Sequence, residues 1–156
     1  MDIMLPEHKD LLKLLLKHQV NFMLIGGYAV IFHGYERLTT DLDIWLKPDN
    51  ENRDKLINAL KDFEIGQESL AQLSNTNFEE ISFFHFGQRP LRIDFLTKVS
   101  GITYSEAEPE IKFFPYDEIQ VPVIQYHHLI LTKISNNRAQ DKADIEMLQK
   151  INRFKI

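Results

Sequence analysis

Phe22-Met23-Leu24-Ile25 is an apolar run that stops on Gly26-Gly27, and thirteen residues later Asp41-Leu42-Asp43-Ile44-Trp45-Leu46 opens a second apolar run with two carboxylates. The first run reads as a buried strand and the glycine pair as a sharp turn, because residues without Cβ let the backbone fold back and present its N–H groups. Tyr28 to Phe32 then supplies a short helix, ended by His33-Gly34. Alternate side chains of a strand share a face, so Leu42 points away while Asp41 and Asp43 project together, close enough to ligate one or two cations such as Mg²⁺. A third acid, in Leu91-Arg92-Ile93-Asp94-Phe95-Leu96, sits in a similar run and completes the candidate set. A turn lined by N–H groups at a helix start, next to hard oxygen ligands, describes a site for a nucleoside triphosphate and its metal.

The rest of the chain supplies elements around this centre. Pro6, followed by Leu11, Leu12, Leu15 and Leu16 with lysines between them, predicts an amphipathic helix from Leu5 to His18. Lys47-Pro48-Asp49-Asn50 predicts a turn and a helix cap, and Leu56, Ile57, Leu60 and Phe63 the inner stripe of the helix behind it. The polar stretch from Gly66 to Asn77 reads as a loop or a short helix. Ile81 to Phe86 and Leu91 to Leu96 read as an antiparallel pair joined by Gly87-Gln88-Arg89-Pro90, with Asp94 on a central strand. Ile111 to Phe114 and Ile119 to Val123 read as short edge strands beside an acidic loop, Glu106 to Glu110. Helices are predicted over His127 to Asn136 and Asp141 to Ile151.

A chain of 156 residues, 44% hydrophobic and 26% charged, fits one domain with a real core. Residues 1–156 are read as that single unit, with a catalytic core at about 20–100 and a helical part at about 125–152. Cysteine is absent, which excludes thiol catalysis, disulfides and thiolate zinc sites. Met1 to Glu7 has no basic leader and no apolar run approaches the roughly 20 residues needed to span a bilayer, so a cytoplasmic location is expected. The net charge of −5 argues against a broad nucleic-acid surface, though not against a local basic cleft.

The pattern Ile25-Gly26-Gly27, spacer, Asp41-Leu42-Asp43-Ile44 resembles the nucleotidyltransferase superfamily that includes DNA polymerase β. Its extended form, Gly26-Gly27-Tyr28-Ala29-Val30, His33-Gly34, Arg37, Thr39-Thr40-Asp41-Leu42-Asp43, is most similar to the small prokaryotic branch of AbiEii-type toxins and antibiotic nucleotidyltransferases, from about Leu11 to Leu148. The resemblance implies an α/β (α+β) nucleotidyltransferase fold, with a mixed, mostly antiparallel central sheet flanked by helices. It also implies a Mg²⁺-dependent enzyme with two ions, moving NMP from an NTP to an acceptor hydroxyl. By that resemblance Asp41 and Asp43 hold both ions, and Asp94 holds the one nearer the acceptor. Gly26 and Gly27 cradle phosphates, and Tyr28, Arg37, Thr40 and Lys133 complete the nucleotide-binding set. Many relatives place serine after the glycine; here that residue is Gly27, so backbone amides must serve instead.

Several of these residues also admit a plain structural role. Arg37 suits a bidentate phosphate contact or an ion pair with Glu36 or Asp41, and Asp94 a salt bridge with Arg92 or Arg89. Lys133, Arg138, Lys142 and Asp144 fit either a phosphate-binding group with Asp144 as scaffold or a solvated helix face. The six histidines show no metal-ligand spacing, and His33 reads as a loop residue near the phosphate turn. Phe83, Phe84, Phe86 and Phe95 read as core. The acceptor stays open among a small molecule, tRNA and protein. The competing reading is a catalytically idle nucleotide-binding or interaction module, one half of a two-component, toxin-antitoxin-like system. The partners expected are an antitoxin, or a second copy that completes the acceptor pocket.

Overall fold

Six strands form one sheet in the order β3-β4-β2-β1-β6-β5, in a computed structural model that describes residues 3–153. Met1 and Asp2, which begin the segment read for a leader, lie outside the described residues. The apolar runs behave as their composition dictates. β1 (Phe22–Ile25) is buried throughout and pairs antiparallel with β2 (Leu42–Leu46), placing Ile25 opposite Asp43. Between them α2 (Gly26–Phe32) starts on the glycines themselves rather than at Tyr28. β4 (Ile93–Leu96) lies parallel to β2 and antiparallel to β3 (Phe83–Phe86), while β5 (Lys112–Tyr116) and β6 (Ile119–Val123) form a hairpin whose β6 joins β1 in parallel. Three of these five pairings are antiparallel, so the mixed sheet expected from the sequence is found.

The helices are α1 (Pro6–Lys17), α3 (Asn50–Asp62), α4 (Gln67–Ser74), α5 (Tyr104–Ala107), α6 (Tyr126–Asn136) and α7 (Ala139–Arg153). Leu11, Leu12 and Leu15 of α1 and Leu56 and Leu60 of α3 are fully buried, which is the stripe their spacing requires. The polar stretch from Gly66 to Asn77 contains α4. No helix among the described residues is long and apolar enough to cross a membrane.

Three expectations need correction. Phe83, read as core with Phe84, Phe86 and Phe95, is 63% exposed, because alternation along β3 turns it to the face away from Phe84 and Phe86. β6 is internal, between β1 and β5, because Val123 pairs with Leu24. The Glu106 to Glu110 segment is helical: Thr103 and Glu106 close a capping box that starts α5, and a 3-10 turn follows at Glu108–Glu110. The last two were hidden by composition, since prolines and acids suggested breaks where capping and a long-range partner decided the backbone.

The end of the β1–β2 pair remote from the glycines is fastened by one side chain. Asn52, fully buried in the first turn of α3, accepts from the Asn21 N–H at 2.7 Å and donates to the Asn21 and Lys47 carbonyls at 2.8 and 3.1 Å. It closes backbone groups on both strands at once. Substituting Asn52→Ala leaves those groups buried and unsatisfied, and urea unfolding is expected to show a loss of about 3 kcal/mol.

Candidate active site

Register, more than proximity in sequence, builds the site. Ile25 lies opposite Asp43, Asp43 opposite Asp94, and Asp94 opposite His85, so one row crosses β1, β2, β4 and β3 with its side chains on one face. The glycine turn stands at the β1 end of this row. Gly26 has φ +67°, and a Cβ there would collide with the Asp43 carboxylate; a Cβ on Gly27 would meet the Thr39 side chain. Both positions are therefore closed to larger residues by the approach of the chain that carries the acids.

His85 was not singled out by the sequence reading. A connection limited to residues 87–90 would have set Phe83 across from Asp94. The observed connection runs through residue 92, shifts the register by two and brings His85 there instead. The usable signal was the alternation Phe83-Phe84-His85-Phe86, which marks His85 as facing the same way as Phe83, both exposed.

The carboxyls are unequal. Asp94 is buried and its Oδ1 accepts from Arg92 Nε at 2.9 Å, one of the ion pairs foreseen for it. Asp41 precedes β2 and is drawn to Arg89, accepting from Nε at 3.0 Å and from Nη2 at 3.3 Å. Asp43 makes no ion pair among the described residues. Burial, then the charges of Asp94 and Asp41 and a hydrogen bond with Asp94, push its carboxyl up to about 7.

Among the described residues no group of three or more His, Cys, Asp or Glu is gathered to hold a metal. The three-acid set expected from the sequence is instead a close pair, Asp43 and Asp94, with Asp41 held aside by Arg89. The pair itself fits a hard divalent cation, since two oxygen-donor side chains meet with only one arginine, Arg92, beside them and a hydrogen bond between them to relieve their repulsion.

The basic residues gather around two buried acids. Asp144 accepts from Arg37 Nε and Nη2 at 2.8 and 2.9 Å and from Gln140 at 2.8 Å, and lies 2.9 Å from Lys133 Nζ. Burial pushes the Asp144 carboxyl up, but Arg37, Lys133 and Gln140 outweigh it and leave it below its ordinary value. Asp141 lies 3.2 Å from Lys133 Nζ and accepts from Arg138 Nε at 2.7 Å. Arg37 thus pairs with neither Glu36 nor Asp41, and Lys133, only 4% exposed, is enclosed between two carboxylates. The outward cation is Arg138. Its side chain is 70% exposed and its charge reaches Asp43, whose carboxyl it lowers against the larger upward effects.

Tyr28 and Thr40 differ in standing. Tyr28 is buried, with its hydroxyl 3.1 Å from His8 Nδ1 and turned toward α1. Thr40 is exposed and donates a long hydrogen bond, 3.4 Å, to Asp41. His33 is not near the turn: it caps the far end of α2, buried, with Nε2 2.7 Å from the Ile124 carbonyl oxygen.

A mixed sheet that sets a glycine turn beside strand carboxylates defines a nucleotidyltransferase class of fold, and sequence comparison agrees. Residues 5–156 match the family described as "Nucleotidyl transferase of unknown function (DUF2204)", and the chain belongs to that family. Among solved structures, a Thermotoga maritima protein named as a candidate nucleotidyltransferase superposes with a TM-score of 0.56 at 13% identity, covering 95% of this chain and 91% of its own. The lincosamide antibiotic adenylyltransferase LnuA, solved with lincomycin bound, gives 0.57 at 18% identity, covering 97% and 99%. These likenesses show a shared fold. A search of curated protein sequences found no match.

The state of Asp43 makes a stability prediction. Its folded value, about 7, lies above the ordinary 3.8, so the folded state binds the extra proton between those values and ionisation opposes folding. The cost is absent below the unfolded value and complete above the folded one. In a metal-free buffer, Asp43→Asn is expected to melt several degrees above the wild type at pH 8, the difference closing as pH falls through 7 toward 4. Calorimetry across that range checks it; a variant that melts lower at pH 8 contradicts the assignment.

Proposed function

We propose that this protein is a Mg²⁺-dependent nucleotidyltransferase that moves NMP from an NTP to a hydroxyl of an acceptor. The observation that carries the reading is the pairing of Asp43 with Asp94 in register, one strand over from the Gly26–Gly27 turn. Family membership supports the class of reaction.

Backbone N–H groups at the start of α2 face the β- and γ-phosphates, with the glycines keeping the approach open. Arg138 adds a guanidinium on the same side, suited to a phosphate oxygen pair. Asp43 and Asp94 hold Mg²⁺, with Asp41 as a further ligand once freed from Arg89. The bound metal supplies charge neutralisation on the α-phosphate and on the departing pyrophosphate. In the transfer a new bond forms between the acceptor oxygen and the α-phosphorus while the bond to pyrophosphate breaks. Asp94 lies on the acceptor side and takes the hydroxyl proton, directly or through water. Arg37 and Lys133 act at one remove: joined to Asp144, they fix the α6–α7 corner that presents Arg138.

A small molecule, a tRNA end and a protein side chain all offer a hydroxyl compatible with this chemistry. A cytoplasmic setting with ample Mg²⁺ and NTP suits it. The idle-module reading draws on the pairs Asp41–Arg89 and Asp94–Arg92, which occupy two of the three acids.

Incubation with Mg²⁺, each α-³²P-labelled NTP and mixed acceptors decides between them. Label transfer by the wild type, reduced at least about 100-fold in Asp43→Asn and in Asp94→Asn, is expected. Metal-dependent NTP binding without transfer to any acceptor would favour the idle module. Absence of NTP binding would overturn the nucleotide site.

A further inference from the structure

One strand repeat beyond Asp43, on the same face, Trp45 forms part of the wall of a second hollow of about 440 Å³. Trp45 lies level with Leu96 and Phe83 in the row next to the one that carries Asp43, Asp94 and His85, and neighbouring same-face rows are roughly 7 Å apart. Phe83 and Ile81 are 63% and 73% exposed, an apolar edge between hollow and carboxylates. The inner wall is apolar, with Trp45, Val99, Ile102 and the Tyr104 ring.

Two features of this hollow are unused by the fold. Tyr104 lines it, is 4% exposed, stands edge-on to Trp45 with ring centres 5.2 Å apart, and its hydroxyl has no hydrogen-bond partner among the described residues. That hydroxyl is itself sealed from solvent, so what Tyr104 offers a ligand in the hollow is the surface of its ring, not a donor. Burial, with Glu108 and Asp49 nearby, keeps that phenol protonated. The second feature is charge. Glu79, Glu80 and Glu106 line the hollow against a single lysine, Lys98. Glu106 is engaged by Thr103, whereas Glu79 and Glu80 are exposed and make no ion pair among the described residues.

We propose that this hollow is the acceptor subsite, and that it takes a small hydroxyl-bearing molecule with an apolar body and a protonated amine. The body packs on Trp45, Val99, Ile102 and the Tyr104 ring, and the amine faces Glu79 and Glu80. The reactive hydroxyl extends past Leu96 and Phe83 toward Asp94. Three carboxylates around the opening repel a polyanion, which sets a small cation apart from a tRNA end. The acceptor role rests on the nucleotidyl-transfer reading; the binding chemistry of the hollow does not.

Three probes with one ring and different charge test it: tyramine, its neutral alcohol analogue tyrosol, and 4-hydroxyphenylacetate. Ligand-observed NMR on the full chain at pH 7.5 is expected to rank them in that order, with tyramine roughly tenfold above the anion. Glu79→Gln with Glu80→Gln should erase the ranking but keep the ring contact. Ile102→Trp should abolish binding of all three while Mg·ATP binding, measured separately, is unchanged. With Mn²⁺ and ATP present, bound tyramine should show paramagnetic broadening in the wild type and lose it in Asp43→Asn. Equal binding of the three probes, binding by none, or binding unaffected by Ile102→Trp would overturn the subsite. Tyramine binding without broadening would overturn its acceptor role. Loss of Mg·ATP binding alone would instead count against the nucleotide site, so the two failures are distinct. Label passing from ATP to tRNA, undiminished by tyramine, would make the polyanion the acceptor and overturn the proposal.

Discussion

Two acids placed side by side on neighbouring parallel strands form the constraint around which this structure is arranged. Asp43 and Asp94 face each other across β2 and β4, and burial in the sheet denies them the water that would screen their charges. In the absence of a cation the pair is eased by a proton, by Arg92 beside Asp94 and by the more distant charge of Arg138. The sheet tolerates this because its other face and its strand ends are secured independently. Phe84 and Phe95 stack on the opposite face, and Asn52 fastens the far ends of β1 and β2. Stability invested elsewhere lets a locally unfavourable pair persist, as is common where a site binds a charged ligand.

The charges are laid out in layers. The paired acids occupy the strand row, the glycine turn stands at the β1 end of that row, and the α6–α7 corner, tied to the turn through Arg37, brings a cation to the same end. That corner is organised by Asp144, which pairs with Arg37 and Lys133, and by Asp141, which pairs with Lys133 and with Arg138, whose side chain stays largely exposed. Buried acids holding buried bases are costly to assemble and costly to break, so the corner is set in position before any phosphate arrives. Arg89 plays a different part: exposed and outside that corner, it pairs with Asp41.

The sequence disclosed those features that depend on local order. The apolar runs, the glycine turn, the Asp41-Leu42-Asp43 alternation and most helices are written in periods of two and of three to four, and the structure has them. Features set by long-range partners were less legible. The register that brings His85 to Asp94 depends on where the β3–β4 connection ends, and β6 becomes internal only because β1 accepts it. Lys133 and Arg37 looked equally free to meet phosphate, since nothing local shows that Asp144, remote from Arg37 in sequence, engages both. The Tyr104 hollow was beyond reach for the same reason. It needs β2, β4, the segment before β3 and α5 to converge.

The account depends on Asp43 and Asp94 acting as one cation site beside the glycine turn. Carboxyl ¹³C NMR of Asp43 as a function of pH, without divalent metal and then with Mg²⁺ and a non-hydrolysable NTP analogue, tests this most directly. A titration near pH 7 that moves well below the ordinary carboxylate range when Mg²⁺ and nucleotide bind is the result predicted. An Asp43 that titrates near its ordinary value from the outset, or whose titration is indifferent to Mg²⁺ and nucleotide, would contradict it.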